Sequence, residues 1–497
     1  MSDTGNRFSR RRMLSGGAVA AAAALAPAMA SAAVRPPKRW DAETDVLVIG
    51  FGISGACVTH EALKAGAKVT VLDRASAAAN ESHGTYIYFG GGTALQKAMG
   101  VEDSLDDLHK YLLSANGPDP DKARIAVLVE RSLENFDYVT GLGIPFSAEP
   151  GKVTLKFTGN ERAWPCRELA RPAPRGHFLR ADANTGTGAW IQRRLLDEAR
   201  KLGATLHLAA DAQHLVLGDD GVVEGVIATI DGAPRALRAK KGVVIATGGF
   251  ANNREMVLQH APIYADYLPV DVGANDGWGI RAAQAAGAAV RRMGACDVTW
   301  MIPPVGLAVN LAGQRFVPED AYYGLLGDAL ARTQNNQAFC VLDATMRGPA
   351  DNPHGAWFST EVNTVWGDSI AALEKAMGIP APALQQTIET YNRYAARGED
   401  PFFHKDRAYL RPLTKGPFSA TRPTGPQGGA LTFFTLGGLR VTPRSEVLDQ
   451  QGVAIPRLFA VGRAASGIPS PNYFTSGLSL AECVTFGRLT GQRLGTS

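Results

Sequence analysis

Four short runs of apolar residues, each too short to form a helix, dominate the pattern of this chain. They lie at residues 46–49, 68–72, 242–250 and 458–462. Such runs predict strands that are buried on both faces, as in a parallel sheet. Between the first two runs, residues 54–65 have helical periodicity and end at a glycine. This strand–helix–strand order predicts an α/β fold.

Amphipathic segments fill the region between the second and third apolar runs. Residues 103–142 alternate acidic and apolar positions at helical spacing, which predicts surface helices. Residues 190–203 form a further amphipathic helix, followed by a strand at 205–208. Residues 213–239 alternate around two turn sequences, which predicts an antiparallel meander. A nicotinamide dehydrogenase would usually continue with regular strand–helix alternation instead.

The turn after the first strand carries a G-x-G-x-x-G/A pattern. Its glycines allow a tight turn, close approach to a pyrophosphate and close packing of the next helix, whose N-terminal N–H groups attract anions. An acid closes the second strand, where its carboxylate is placed to accept hydrogen bonds from an adenosine ribose. The pattern does not separate NAD from FAD. We assign to this site Gly50, Gly52, Ile53, Ser54, Gly55, Asp73 and Arg74.

A glycine-rich loop at residues 82–96 is a second candidate for contact with a cofactor ring. It places Gly90, Gly91 and Gly92 beside aromatic residues. Three consecutive glycines allow the backbone to lie flat against a planar ring, with N–H groups free to bond it. The alternative is a flexible loop, since aromatic residues also flank glycines in ordinary turns.

Composition and charge narrow the classes of function. The chain has 497 residues, of which 45% are hydrophobic, enough for two or three domains with large cores. The formal net charge is +4, but residues 1–32 hold four arginines and one aspartate, so the rest carries only +1. This near-neutral balance gives no electrostatic case for binding nucleic acid or anionic lipid.

The N-terminus predicts export. Residues 9–14 read SRRRML, an alanine-rich stretch follows, and residues 30–32 read ASA. This order is typical of a twin-arginine signal peptide, here residues 1–32, with a small-residue cleavage site. We therefore expect a periplasmic or otherwise exported protein, with a membrane anchor or a basic tail as the alternative. No later stretch is apolar for long enough to cross a bilayer, so we expect no permanent membrane span in the mature chain.

The spacing of cysteines and histidines gives no metal or haem motif. The five cysteines are scattered, and none makes a C-x-x-C pair. The nine histidines show no H-E-x-x-H spacing, and no G-x-S-x-G elbow occurs. We therefore expect no metal and no disulfide framework, with the cysteines buried as small hydrophobic residues. The cysteines are Cys57, Cys166, Cys296, Cys340 and Cys483.

The meander followed by a V-V-I-A-T-G-G strand resembles the fumarate reductase and 3-ketosteroid dehydrogenase superfamily of two-dinucleotide-binding-domain flavoproteins. Residues 273–290 resemble the G-D-G-x-x-x-A-x-x-x-G-A helix of that superfamily, and residues 313–319 resemble its G-x-R-F-x-x-E segment. Residues 390–400, 436–444 and 447–462 match further family segments. The likeness covers nearly everything after residue 44.

The resemblance implies a Rossmann-like FAD domain at residues 41–295 and 433–497, with an α+β substrate-capping domain at 296–432 inserted between. FAD is the implied cofactor. The last helix, at 477–491, would begin near the pyrimidine side of the isoalloxazine ring, where its dipole stabilises negative charge. Further FAD contacts implied by the resemblance are Gly90, Gly91, Gly92, Thr247, Gly248, Asp276, Gly462, Leu478 and Ser479.

Three departures from the fumarate reductases bear on the substrate. Those relatives hold a dicarboxylate with arginines and a histidine, because carboxylates need fixed cations. Here the H-T-M-G-G pattern reads FTLGG at 434–438, the N-R-x-G-G-like run reads NYFTSG at 472–477, and Tyr323 replaces an expected arginine. Phenol and phenyl groups in place of cations favour a large apolar ketone over a dicarboxylate.

Two segments resemble the 3-ketosteroid Δ4-(5α)-dehydrogenases in particular. They are EDAYYG at 319–324 and GGGTALQ at 90–96. The Tyr-x-Ser-Gly pattern that those enzymes carry near the C-terminus is one residue longer here, at 473–477. The Δ1-dehydrogenases also have a tyrosine and a glycine there, so the position of desaturation stays open.

The reaction implied by the resemblance is α,β-desaturation of a 3-oxo steroid-like ketone. A hydride would leave the β carbon for flavin N5 while a proton leaves the α carbon. Tyr322, or Tyr323 as second choice, would remove the proton together with Ser476. Tyr473 and the Gly477 N–H would donate hydrogen bonds to the carbonyl. For each tyrosine the alternative is an ordinary core aromatic.

Two other functions compete with this hypothesis. A reductase of an α,β-unsaturated acid such as fumarate or urocanate would run the same hydride transfer in reverse. A flavin-carrying subunit would pass electrons to a membrane partner. The electron acceptor stays open between a quinone and a redox protein.

Overall fold

The computed structural model describes residues 33–75, 84–117, 119–159, 161, 169–179, 186–270, 275–348, 363–423, 431–469 and 473–496. The predicted export signal and Cys166 lie outside the described residues. Among the helices within these ranges, none combines the length and the apolar character needed to cross a membrane. The same ranges contain no group of three or more His, Cys, Asp or Glu side chains arranged to hold a metal ion.

Many of the helices are capped at their N-terminal end by a polar side chain. The hydroxyl, carboxylate or amide oxygens of Thr93, Ser104, Asp121, Asn253 and Ser369 each accept a hydrogen bond from a backbone N–H of the first turn. The helices are α1 (Ile53–Lys64), α2 (Ala94–Ala98), α3 (Leu105–Ala115), α4 (Lys122–Glu130), α5 (Ser132–Gly141), α6 (Thr187–Lys201), α7 (Arg254–His260), α8 (Trp278–Ala285), α9 (Tyr323–Gln334), α10 (Ile370–Met377), α11 (Ala383–Ala395) and α12 (Leu478–Thr496).

The strands are β1 (Ala42–Ile49), β2 (Val69–Asp73), β3 (Tyr86–Tyr88), β4 (Leu155–Lys156), β5 (Gly176–Phe178), β6 (Thr205–Leu208), β7 (Asp211–Leu217), β8 (Val223–Ile230), β9 (Ala233–Ile245), β10 (Leu268–Pro269), β11 (Val290–Arg291), β12 (Cys296–Thr299), β13 (Leu307–Asn310), β14 (Ala338–Leu342), β15 (Thr364–Gly367), β16 (Phe418–Thr421), β17 (Thr432–Thr435), β18 (Gly438–Leu439), β19 (Glu446–Leu448) and β20 (Ala454–Ala460).

The main sheet has the strand order β19-β20-β9-β1-β2-β6. Its central pairs, β1 with β2, β1 with β9, β9 with β20 and β2 with β6, are all parallel. The apolar runs found in the sequence form these strands, and the side chains in the second half of β1 are almost fully buried. The prediction of a mainly parallel α/β sheet is therefore confirmed.

The third strand of the meander is also the third strand of the main sheet. The sequence pattern predicts a meander ending at 239 and a separate strand at 242–250, but β9 runs without a break from Ala233 to Ile245. Its first half mixes exposed and buried side chains and pairs with β8, while its second half is buried and lies between β1 and β20. One strand thus serves both patterns, since each half meets a different environment.

Helix α12 packs directly on α1. Two glycines of α12 allow this close approach: a Cβ at Gly487 would lie 2.7 Å from the Ser54 carbonyl oxygen, and one at Gly491 would lie 2.5 Å from the Val58 carbonyl oxygen. The C-terminal helix is therefore fixed against the helix that follows the glycine turn. Because of this contact, the N-terminus of α12 is held near the carboxyl edge of the main sheet.

A second sheet, with strand order β13-β14-β16-β15, lies entirely within the predicted capping domain and is antiparallel. Strands β12 and β17 form the two connections to the FAD domain and pair with each other, with Asp297 opposite Phe434. The domain boundaries predicted at 295/296 and 432/433 thus fall at these two strands. The division into domains stays a prediction.

A buried ion network stabilises the capping region. The Arg315 guanidinium contacts Glu319 at 2.7 Å and Asp400 at 2.9 Å, and the Lys405 ammonium lies 3.3 Å from Glu319. The nearby cations hold the pKa of Glu319 below its usual value, although burial alone would raise it. In this chain the G-x-R-F-x-x-E segment therefore supplies a structural ion network, in which each charge is compensated.

Candidate active site

A single cavity runs along the carboxyl edge of the main sheet. At one end it is lined by the glycine turn after β1, and at the other by aromatic side chains from the N-terminus of α9 and from the loop before α12. Ligands of open α/β sheets bind in crevices outside the carboxyl ends of the strands. The topology therefore brings most of the predicted cofactor residues and the predicted catalytic residues into one site.

The glycine turn has the geometry that a pyrophosphate site needs. Gly50 has a φ of +97°, and a Cβ there would lie 2.5 Å from the Ala246 carbonyl oxygen. A Cβ at Gly55 would lie 2.0 Å from the Gly50 carbonyl oxygen, so this glycine packs α1 against the turn. A Cβ at Gly52 meets nothing within 4 Å, although the residue lines the cavity. The turn thus leaves open space in front of the N-terminus of α1.

Asp73 and Arg74 line the same end of the cavity. The Asp73 carboxylate accepts hydrogen bonds from the backbone N–H groups of Phe51 at 2.5 Å and Ala75 at 2.7 Å, which fix its orientation. Arg74 donates to Asp211 at 3.0 Å and to Asp276 at 2.9 Å. The predicted residues Arg74 and Asp276 are therefore ion-paired to each other at the cavity wall.

Other predicted cofactor residues are divided between the cavity wall and the layer behind it. Ile53, Ser54, Thr247, Gly248 and Ser479 line the cavity. Gly55, Gly462 and Leu478 do not; a Cβ at Gly462 would lie 2.5 Å from Ser54 Oγ, and Leu478 is fully buried. Direct contact of these three residues with a cofactor stays a prediction.

The interpretation of the three consecutive glycines needs correction. The backbone N–H of Gly90 donates to Ser132 Oγ at 3.0 Å, that of Gly91 to Asp103 Oδ2 at 2.9 Å, and that of Gly92 to Gln96 Oε1 at 3.0 Å. None of the three lines the cavity. The expectation of N–H groups free to bond a ring is therefore wrong, because neighbouring side chains have taken them.

A local signal for this arrangement is present in the sequence. Thr93 and Gln96 form a capping box, in which each side chain accepts a hydrogen bond from the other residue's backbone N–H. The Gln96 side chain also donates to Asp103, which pairs in turn with the buried Arg175 at 2.7 Å. The T-x-x-Q spacing thus marks a helix start and a structural turn.

The aromatic end of the cavity contains two adjacent tyrosines. The ring centroids of Tyr322 and Tyr323 lie 4.1 Å apart, and each phenol affects the pKa of the other. The Tyr323 hydroxyl donates to Ser476 Oγ at 2.9 Å. The structure therefore pairs Ser476 with Tyr323, the second choice of the sequence analysis, and packs the ring of Tyr322 against that of Tyr323.

Tyr473 lies beside this pair. Its ring centroid is 6.2 Å from that of Tyr322 and 5.3 Å from that of Phe434. Its phenol oxygen accepts a hydrogen bond of 2.8 Å from the backbone N–H of Ser479, in the first turn of α12. The Tyr473 hydroxyl proton can therefore be donated into the cavity. Gly477, with a φ of +97°, lines the cavity where the chain turns into this helix.

Burial raises the pKa of all three phenols above their ordinary value. For Tyr322 and Tyr323 the nearby Asp297 adds to this effect, while the hydrogen bond to Ser476 opposes it at Tyr323. At Tyr473 the hydrogen bond from Ser479 opposes it. The phenols are therefore protonated at neutral pH, and a tyrosine that removes a proton must pass its own proton to another group.

Two charged residues of the cavity were missed by the sequence analysis. Asp297 on β12 is 2% exposed, and Arg463 holds its guanidinium 3.9 Å from the centroid of the Phe434 ring. Both line the cavity. Burial raises the pKa of Asp297 to about 8, although Arg463 opposes the shift. The signal available in the sequence was an acid inside an apolar strand, at C-D-V-T.

The family model described as an FAD binding domain matches residues 45–480. The chain belongs to this family. The crystal structure of a 3-ketosteroid Δ4-(5α)-dehydrogenase from Rhodococcus jostii RHA1, in complex with 4-androstene-3,17-dione, superimposes with a TM-score of 0.85 at 37% sequence identity. The match covers 94% of this chain and 100% of that one.

Two curated relatives give more distant matches. A probable fumarate reductase of Shewanella frigidimarina is 27% identical over 470 residues, covering 90% of this chain and 74% of the relative. A 3-oxosteroid 1-dehydrogenase of Mycolicibacterium smegmatis is 26% identical, covering 90% of this chain and 96% of the relative. The resemblance and the fold class predicted from the sequence are thereby confirmed.

The chain is an FAD-dependent oxidoreductase. The cavity residues fit this cofactor. The turn at Gly52 offers open space before a helix N-terminus, which suits a pyrophosphate, and the fixed Asp73 carboxylate suits a ribose. The aromatic end of the same cavity, lined by Tyr323, Tyr473 and Ser476, is the candidate site for the redox ring and a substrate.

Proposed function

We propose that the protein is an FAD-dependent dehydrogenase that introduces a C=C bond α,β to the carbonyl of a 3-oxo steroid-like ketone. The observation that carries this proposal is the 2.9 Å hydrogen bond between the Tyr323 hydroxyl and Ser476 Oγ, at the aromatic end of the FAD cavity. The same end also holds a second phenol, Tyr473, that is oriented by a helix N-terminus.

Tyr473 binds the ketone oxygen. Because its phenol oxygen accepts from Ser479, its proton is directed away from α12 and can be donated to a carbonyl. A carbonyl that accepts this bond is polarised, which makes the adjacent α C–H more acidic and stabilises the developing enolate. The Gly477 N–H, at the turn into the same helix, is the second donor in this proposal.

Tyr323 and Ser476 handle the α proton. The serine hydroxyl can reverse its direction and donate to the tyrosine oxygen, so the pair can accept a proton and relay it. When bound, FAD supplies the acceptor for the hydride that leaves the β carbon. Tyr322, packed 4.1 Å from Tyr323 between ring centroids, holds the reacting phenol in place.

The walls of the cavity favour an apolar ketone over a dicarboxylate. Phe434 lies on the wall where fumarate reductases are expected to have a histidine, and it packs edge-to-face on Tyr473 at 5.3 Å. Arg463 stacks on the same phenyl ring and faces Asp297, which offsets part of its charge. A ligand with two carboxylates would meet one partly compensated cation at this end and a row of phenols.

The comparisons support the same substrate class. The Rhodococcus structure that matches over 94% of this chain is a 3-ketosteroid Δ4-(5α)-dehydrogenase with a 3-oxo steroid bound. We therefore favour Δ4-(5α) over Δ1 desaturation. The 26% identity to a 3-oxosteroid 1-dehydrogenase keeps the Δ1 product as the second outcome to look for.

The test is an anaerobic titration of the purified FAD-loaded protein with a 5α-3-oxo steroid. Flavin absorbance is followed, and the product is identified by mass spectrometry and NMR. We expect bleaching of the flavin together with a Δ4 product. No bleaching with either a 5α- or a Δ4-3-oxo steroid would overturn the proposal.

One observation favours a second candidate, a reductase of an α,β-unsaturated acid. Arg463 provides a cation inside the cavity, and a probable fumarate reductase is 27% identical to this chain. A single arginine can hold one carboxylate bidentately. Reoxidation of the chemically reduced protein by fumarate, urocanate or an aryl acrylate, without any reaction with steroids, would establish this alternative.

We also propose that the protein is exported by the twin-arginine pathway and passes its electrons to a quinone or a redox protein. The basis is the SRRRML stretch at 9–14 and the small-residue site at 30–32. Replacement of Arg10, Arg11 and Arg12 together by lysine should retain the protein in the cytoplasm of its host. Unchanged export on cell fractionation would contradict this assignment.

A further inference from the structure

Asp297 is a buried acid at the aromatic end of the cavity that the reaction described so far does not use. It lies on β12, opposite Phe434 of β17, and is 2% exposed. Its Oδ1 has no hydrogen-bond partner among the described residues, although the side chain lines the cavity. A carboxyl oxygen that is buried and unpartnered next to a ligand cavity is costly to the fold. Such a group therefore calls for a functional explanation.

Gly324 places Asp297 next to Tyr322. A Cβ at Gly324 would lie 2.4 Å from Asp297 Oδ1 and 2.6 Å from Cε1 of the Tyr322 ring. The two atoms are therefore at most about 5 Å apart, with only the missing side chain between them. Asp297 Oδ1 makes no direct hydrogen bond to the phenol hydroxyl, so a bridging water would connect the two groups.

The charged and titratable groups around Asp297 come from several elements. Arg463 follows β20 and lowers the pKa of the acid, while Asp328 on α9 raises it. Asp328 itself accepts from Tyr264 and Arg332 and is thus compensated outside the cavity. The phenols that interact electrostatically with Asp297 are Tyr322, Tyr323 and Tyr473.

We propose that Asp297 is a positioning residue that takes up, through Tyr322 and Tyr323, the proton that the ketone substrate releases from its α carbon. This inference rests on the proposed desaturation. The α C–H bond breaks and its proton goes to the Tyr323 oxygen. Ser476 turns to donate to the Tyr323 oxygen, the Tyr323 hydroxyl rotates and passes its proton to Tyr322, and the Tyr322 proton passes through a bridging water to the Asp297 carboxylate. The electron pair left on the α carbon forms the C=C bond as the hydride leaves the β carbon for FAD.

The relay resolves a difficulty of the tyrosine mechanism. Burial raises the pKa of Tyr322 and Tyr323 further above their usual value, so neither is a phenolate at neutral pH. Asp297 has a pKa of about 8, which lies near the range in which enzymes place general bases. An acid with an ordinary pKa would be too weak a base, and an isolated phenol would have no place to send its proton.

The first test uses Asp297→Asn in the FAD-loaded protein, with rapid-mixing measurement of flavin bleaching by the steroid between pH 6 and 10. We expect the rate constant in the wild type to rise with an apparent pKa near 8. In D297N we expect a loss of about 10²- to 10³-fold and no rise near pH 8. Asp297→Glu should restore part of the rate constant and its rise with pH. Asp343→Asn serves as the matched control and should keep the wild-type profile, because it replaces a buried acid that lies outside the cavity and does not act on the pKa of Asp297.

Two outcomes of this test would overturn the proposal. One is a D297N rate constant within about three-fold of the wild type. The other is a slower D297N that keeps the wild-type pH profile, because that result assigns Asp297 a structural role only. If D297N does not fold, D297E is measured instead. A slower D297E that keeps the wild-type pH profile would then overturn the proposal.

The second test needs no turnover. Infrared spectra of the FAD-loaded protein without substrate should show a protonated carboxyl band that disappears with a midpoint near pH 8 and is missing from D297N. If no such band titrates in the wild type, Asp297 does not exchange a proton in this range and the inference fails. A wild type that titrates but is not bleached by any steroid contradicts the proposed function and leaves the proton site of Asp297 established.

Discussion

The phenol oxygen of Tyr473 accepts a hydrogen bond of 2.8 Å from the backbone N–H of Ser479, in the first turn of α12. The residue that we propose binds the substrate carbonyl is thus hydrogen-bonded to the N-terminus of the helix that packs on α1. A helix N-terminus stabilises negative charge nearby. The contact therefore orients the Tyr473 proton and lets the helix dipole act, through the phenol, on a developing enolate.

We expect Tyr473→Phe to lower kcat/KM for a 5α-3-oxo steroid by about 10²- to 10³-fold, the usual effect of removing one donor to a developing oxyanion. FAD content should stay unchanged. The matched control is Tyr391→Phe, which removes a buried phenol of the capping region whose oxygen accepts from Arg411. An equal loss of activity in both variants, measured by steady-state kinetics, would contradict the assignment of Tyr473.

Tyr323 and Ser476 should behave as one unit. Their hydroxyls are 2.9 Å apart, so removing either one interrupts the same proton path. We expect Tyr323→Phe to cost about 10²- to 10⁴-fold in the rate of flavin bleaching and Ser476→Ala a smaller factor. The double variant should be no slower than Tyr323→Phe alone. Multiplicative effects in this double-mutant cycle would show that the two hydroxyls act independently.

A side chain at position 52 should be compatible with folding but should weaken the binding of FAD. A Cβ there meets no protein atom within 4 Å, and the residue lines the cavity. We therefore expect Gly52→Val to fold with near-normal circular dichroism and to bind FAD at least ten-fold more weakly, measured as flavin content and by FAD titration. The control is Gly141→Ala in α5, where the added Cβ also meets nothing within 4 Å and the residue does not line the cavity. Full flavin content in Gly52→Val would contradict the site.

Features of the site that depend on local spacing were predictable from the sequence. The glycine turn, α1 and β2 follow from residues close together in the chain, and each was found where it was expected. The three glycines at 90–92 were misread for two reasons. The capping box that supplies the partner of Gly92 is local and was overlooked, whereas the partner of Gly90, Ser132, lies 42 positions away. A pattern of glycines alone does not tell whether their N–H groups face a ligand or a neighbouring side chain.

Features that depend on the pairing of strands distant in the chain could not be predicted from the sequence. Tyr323 and Ser476 are 153 positions apart, and only the resemblance to a family suggested that they belong together. Asp297 enters the cavity because β12 pairs with β17 in the register that sets it opposite Phe434. A slip of one residue would turn the acid to the other face of the sheet. The sequence alone does not specify that register.

The buried acid also makes a prediction about stability that is independent of turnover. Asp297 has a pKa of about 8 in the folded protein against an ordinary value of 3.8, so between these values the folded state binds a proton that the unfolded chain releases. The contribution of Asp297 to the free energy of unfolding is therefore complete below pH 4 and is lost as pH rises towards 8. An asparagine side chain cannot titrate, so we expect Asp297→Asn to gain stability over the wild type as pH rises through this window. The gain is at most about 6 kcal/mol, since each pKa unit is worth about 1.4 kcal/mol.

The measurement is chemical denaturation of both proteins at saturating FAD, from pH 5 to pH 8.5, with the difference in free energy of unfolding plotted against pH. Taking the difference removes the contribution of His177, which is the same in both proteins. Burial lowers the pKa of His177 to about 4, so this residue destabilises the fold as pH falls below 6.5, the opposite sign to Asp297. A difference that does not change with pH would mean that Asp297 is ionised throughout the range. In that case its charge would be fully compensated by Arg463, and the carboxylate would be too weak a base to take up the proton that the tyrosines deliver.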